Sequence, residues 1–97
     1  MSMVIRHDEQ HHRFELVDDK SGEVLAFADY RPFEGGVWEF HHTVTQPAHR
    51  GQGLAGEVVT AALAEVRARG GRVVPTCWYV DGFIRDHPEY HDLRAQR

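Results

Sequence analysis

Ninety-seven residues with 41% hydrophobic content make one domain-sized chain (residues 1–97), enough for a single core but small for an enzyme that must also enclose its substrate. A formal charge of −4 with scattered arginines leaves nucleic acid no electrostatic footprint, and a single cysteine, Cys77, excludes an internal disulfide framework. No apolar run approaches the roughly 20 residues of a membrane-spanning helix, and Met1-Ser2-Met3-Val4-Ile5-Arg6 lacks the apolar core of a secretory signal, so the chain reads as cytoplasmic with at most peripheral membrane contact.

In chain order, Arg13 to Val17 and Glu23 to Tyr30 read as strands flanking the turn formers Asp18-Asp19-Lys20-Ser21-Gly22, which predicts a hairpin. Pro32 and Gly35-Gly36 are expected to break the second strand before a third, Val37 to Thr45. Strict alternation there sets Trp38, Phe40, His42 and Val44 on one face and Glu39, His41, Thr43 and Thr45 on the other. Pro47 ends it. From Leu54 the period changes to that of a helix, with Leu54, Ala55, Val58, Val59, Ala62, Leu63 and Val66 forming an apolar stripe that Gly70-Gly71 terminates. Arg72 to Trp78 reads as a short apolar strand reached by this helical crossover, hence parallel to the strand ending at Thr45. A second helix over Tyr79 to Arg85 is closed by His87-Pro88, and Leu93 to Arg97 reads as a frayed polar end. The expected fold class is thus α/β (α+β): one domain, a mostly antiparallel twisted sheet and one parallel strand-helix-strand crossover.

Arg50-Gly51-Gln52-Gly53-Leu54-Ala55 joins the third strand to the long helix. Glycines at alternate positions let a ligand approach the backbone, and the opening turn of a helix offers unpaired N–H groups and the positive end of its dipole. A diphosphate suits such a place, although a tight structural turn has the same composition. The spacing matches neither a Walker loop nor the dinucleotide G-x-G-x-x-G. Eight histidines are dispersed as His7, His11, His12, His41, His42, His49, His87 and His91, without an H-E-x-x-H or Cys-His set, so no metal is expected.

The R-x-x-G-x-A pattern from Arg50 to Ala55, the His42-Thr43 pair before it and Pro75-Thr76-Cys77-Trp78-Tyr79 after the helix resemble the GNAT-type N-acetyltransferases, in particular a small, truncated group with a single cysteine. The resemblance spans about half the chain. It departs on the N-terminal side, where the helical portion that helps cover the acceptor in full-length members has no counterpart. It implies a minimal GNAT-like fold and acetyl-CoA bound between the splayed ends of two parallel strands. Pantetheine would pair near Thr43, Val44 and Thr45, and the diphosphate would lie against Gly51, Gln52, Gly53, Leu54, Ala55 and Gly56. Arg50 would assist by charge or brace the turn.

Acetyl transfer needs a neutral amine, a polarised thioester and a proton for the leaving thiolate. Glu39 is the candidate base, or else a solvated strand carboxylate. His42 is a second candidate, or a histidine packed beneath the helix; a bulge near the strand end would change which side chains face the ligand. Cys77 is a candidate nucleophile or proton donor, or simply a small buried hydrophobe. Tyr79 is a candidate proton donor or an aromatic closing the crevice, while Trp38, Trp78 and Phe83 read as core or crevice wall. The leading expectation is an N-acetyltransferase for a small-molecule or protein amine, by direct transfer. The alternatives are an acyl-CoA-binding module without turnover and a phosphate or nucleotide binder. A protein partner or a second copy would complete a shallow site.

Overall fold

Alternating apolar and polar residues build an antiparallel meander from β2 (Arg13–Asp18) through β3 (Val24–Phe33) to β4 (Val37–Thr45). The computed structural model, which describes residues 2–95, adds β1 (Met3–Asp8) antiparallel to β2 at one edge and β5 (Arg72–Pro75) parallel to β4 at the other. The strand order is β1-β2-β3-β4-β5, so the expected mixed sheet is observed with one strand more than the sequence reading supplied. Helix α1 (Leu54–Ala68) crosses from β4 to β5 over one face, and α2 (Trp78–Asp86) follows β5.

The core lies between α1 and the sheet. Leu54, Val58, Val59, Ala62, Leu63 and Val66 of α1 are buried against Phe14 and Leu16 of β2, Ala26, Ala28 and Tyr30 of β3, and Trp38 and Phe40 of β4. Each large side chain so buried contributes about 1.5–3 kcal/mol. Among the described residues the other sheet face carries no helix. There, cross-strand ion pairs run Arg6–Glu15 at 2.6 Å, Arg13–Asp29 at 2.6 Å and Arg31–Glu39 at 3.3 Å, stepping from β1 to β4.

Four expectations are corrected. Pro32 does not break β3; it pairs in register with Trp38, beyond the last β2 partner of β3, where an edge position tolerates the missing amide. The strand expected to reach Trp78 ends at Pro75, because the Cys77 amide turns to the Phe40 carbonyl (2.9 Å) and Trp78 begins α2. Trp78 is therefore 82% exposed and is neither core nor buried wall. The C-terminal segment is not frayed through residue 95: Leu93 is buried, Arg94 bridges to Val73 and donates to the Asp81 carboxylate at 2.8 Å, and the Ala95 amide donates to Val73 at 2.9 Å. Gln96 and Arg97 lie outside the described residues, as does Met1.

Candidate active site

Where β4 and β5 part, the sheet opens. Pairing runs from Val37–Arg72 to Phe40–Pro75 and then stops, so His41 to Thr45 present an edge with no β5 partner while β3 still pairs with His42 to Thr45 on the other side. Gln46 fastens the end of this edge, its amide donating to Leu25 at 2.9 Å and its side chain to Val24 at 2.6 Å.

The glycine turn closes the top of the opening. Gly51 and Gly53 have φ of 84° and 76°, values that L side chains resist, and Gly53 caps α1 without any side-chain hydrogen bond. The first helical amide with a backbone partner is that of Glu57, which donates to Gly53 at 3.2 Å. Among the described residues the amides of residues 51–56 donate to no carbonyl. Six neighbouring N–H groups at a helix start are thus left without a backbone partner, the circumstance in which helix N-termini accept anions. Arg50 stands exposed just ahead of them in the chain.

Tyr79, on the first turn of α2, leans over the same place, since a β-carbon on Gly56 would lie 3.4 Å from its hydroxyl oxygen. Burial pushes its phenol above the ordinary value. Cys77 is the buried N-cap residue of α2, and its Sγ lies 3.4 Å from the Thr43 hydroxyl across the opening. That hydroxyl is too weak a base to take a thiol proton. Cys77 thus meets Thr43 beyond the last β4–β5 pair, and Tyr79 meets the first turn of α1.

Glu39 and His42 lie on the helix-free face. The register of β4 against β3 shifts from Phe40–Tyr30 to His42–Asp29, which leaves His41 opposite no residue of β3. This bulge turns Thr43 toward Cys77 and His42 outward, where it is exposed and edge-on to Phe27 at 6.1 Å. The packed-histidine reading of His42 is therefore overturned, and strict alternation fails beyond Phe40. Glu39 accepts from the Thr76 hydroxyl at 2.7 Å and from Arg31 at 3.3 Å. The Thr76 bond, helped by the Arg31 guanidinium, holds its carboxyl below the usual carboxylate range. Sequence reasoning missed His41 and Thr76.

A sheet whose one parallel pair parts in front of a glycine-led helix defines the fold of an acetyltransferase. The chain belongs to the GCN5-related N-acetyl-transferase family, whose family model matches residues 13–93. In structure it is similar to a GCN5-like protein from Staphylococcus aureus solved by NMR, with a TM-score of 0.75 over 100% of this chain and 93% of that one; at 21% identity the likeness is one of fold. A GNAT family acetyltransferase from Brucella melitensis in complex with acetyl-CoA shares 26% identity at a TM-score of 0.56, over 69% of this chain and 47% of that one. Protein NATD1 of Bos taurus is 36% identical over 52 residues, 54% of this chain and 46% of its own length, so the match spans about half of that relative. Protein NATD1 of Mus musculus is 25% identical over 88 residues, 87% of this chain and 76% of its own length.

Proposed function

We propose that the chain is an acetyl-CoA-dependent N-acetyltransferase that transfers acetyl directly from coenzyme to amine within a ternary complex. The observation that carries this reading is the cradle of unpartnered amides at residues 51–56, set at the head of an opening between parallel strands. The acetyl-CoA held by the Brucella relative supports it.

In this reading the coenzyme diphosphate accepts hydrogen bonds from Gly51, Gln52, Gly53, Leu54, Ala55 and Gly56, with the Arg50 guanidinium adding charge at the entrance. The peptide-like pantetheine extends the free edge of β4 at Thr43, Val44 and Thr45 as an added strand would. The thioester then lies near the bulge, where backbone amides unmatched by β3 polarise its carbonyl. The amine nitrogen attacks the carbonyl carbon, the C–N bond forms, the C–S bond breaks, and the thiolate takes up a proton. Tyr79, over the first turn of α1, supplies that proton; its raised pKa keeps it protonated until the thiolate departs. Cys77, buried and paired only with a hydroxyl, acts as wall.

Release of free CoA from acetyl-CoA, followed with a thiol reagent across a panel of primary amines, tests the reading. Amine-dependent release is expected. Coenzyme binding without release for any amine would favour the second reading, a non-catalytic acyl-CoA-binding module, for which the uncovered sheet face is the supporting observation. Equal stabilisation by ATP, NAD and acetyl-CoA would reduce the site to a general phosphate binder.

A further inference from the structure

The helix-free face holds a polar cleft of about 550 Å³ that reaches His41, the bulge residue of β4, and so opens beside the strand parting. We propose that this cleft admits the primary alkylammonium group of the acceptor and that the His41 imidazole takes its proton. The proposal rests on the acetyltransferase reading, which sets the thioester at the bulge.

Three observations favour it over entry from the α1 side. The α1 side at the helix start is the side assigned to the coenzyme, whereas the opposite sheet face carries no helix among the described residues. His41 is the half-buried histidine that belongs to both the bulge and the cleft, whereas His42 points away to solvent. The alternative base, Glu39, is already engaged as acceptor by the Thr76 hydroxyl and the Arg31 guanidinium. From β2 and β3, His41 is faced across the cleft by Arg13, Glu15, Asp29 and Arg31. From the β1–β2 turn it is faced by Asp8, His11 and His12. Asp8, Glu15 and Asp29 line the cleft with Arg13 and Arg31, and Arg6 balances Glu15 at 2.6 Å, so what the lining offers an ammonium group is carboxylate oxygens as hydrogen-bond acceptors. Glu15 and Asp29 are in ion pairs and Asp8 is hydrogen-bonded to the His11 ring, yet each keeps lone pairs for a further N–H donor.

The proton balance is complete. His41 removes one proton from R-NH₃⁺ and later loses it to water. The freed lone pair forms the C–N bond, Tyr79 gives its proton to the departing coenzyme sulfur, and the second proton, released from nitrogen as the adduct collapses, restores the Tyr79 phenol. One free proton and one CoA thiol accompany each amide formed.

The test uses the whole chain and two probes, 1,4-diaminobutane and a lysine-containing tripeptide, which separate a free diamine from a protein-borne amine. Titration of either amine, with 1,4-butanediol as the neutral control, is followed by NMR of the histidine imidazoles without coenzyme. The His41 and His12 signals are expected to move with at least one amine and not with the diol. With acetyl-CoA present, His41→Gln is expected to lower kcat/KM for the amine at least tenfold, to abolish the fall in rate on the acid side, and to leave acetyl-CoA affinity unchanged. His91→Gln should change none of these. Unmoved cleft imidazoles, or a His41→Gln rate and acid limb equal to those of the parent, would overturn the cleft assignment while leaving the coenzyme reading intact. Failure of acetyl-CoA to bind the parent chain would instead strike that reading.

Discussion

Gly53 illustrates how one residue serves both the fold and the cradle. Its φ of 76° is a conformation that a β-carbon opposes by about 1–2 kcal/mol, and its amide belongs to the unpartnered set. Gly53→Ala is therefore expected to lose stability by about that amount in urea unfolding and to weaken acetyl-CoA at least tenfold, whereas unchanged coenzyme affinity would separate the turn from the ligand. Cys77→Ala should cost little beyond the lost packing and retain turnover; loss of turnover together with an acetyl adduct on Cys77 by mass spectrometry would establish the covalent route instead. His7 supplies a pH prediction. It stacks on Phe14 at 4.0 Å and shares a 2.7 Å hydrogen bond with the Tyr30 hydroxyl, and burial lowers its pKa from the usual 6.5. Because the unfolded chain binds this proton more readily, stability is unaffected well above pH 6.5 and falls as the pH drops below it towards the lowered folded value. His7→Phe should flatten that acid limb of thermal stability, and an unchanged limb would assign it elsewhere.

At the scale of elements, the ion-pair ladder on the bare face explains how charged strands pair without a covering layer. Arg31–Glu39 involves an exposed guanidinium and is a pair of the kind that contributes about 0.2–1 kcal/mol. Arg6–Glu15 differs, since the Glu15 side chain is only 7% exposed and would be stranded without its partner. Arg6→Met should consequently lower stability by about 1–3 kcal/mol and more than Arg31→Met does, as read from the urea midpoints. Gly71→Ala should be at least as damaging, because its β-carbon would sit 2.8 Å from the Gly36 carbonyl oxygen and 2.8 Å from Trp38 Nε1. The meander, α1 and the parallel crossover were legible because their periods of two and 3.6 are sustained over many residues. β1 was not, since its six residues alternate weakly, with Met3, Ile5 and His7 set against Val4, Arg6 and Asp8. The cradle could be read from its glycines. The inward turn of Thr43 and the outward turn of His42 could not, because a bulge is set by cross-strand register between residues distant in sequence.

For the whole molecule, function follows from an asymmetry: one sheet face is closed by α1 and α2, the other is uncovered, and the parting of β4 from β5 joins the two. In the proposed reading, coenzyme phosphates and acceptor amine meet from opposite faces. The central claim is that backbone amides at the start of α1 grip the coenzyme diphosphate. Its most direct measurement is calorimetry of acetyl-CoA against S-acetylpantetheine, which lacks the diphosphate, with backbone amide NMR recorded at saturation. The account predicts that acetyl-CoA binds at least a hundredfold more tightly, about 2.7 kcal/mol, and that the amides of residues 51–56 carry the largest shifts. Equal affinities, or amides of that turn unmoved by bound acetyl-CoA, would contradict it.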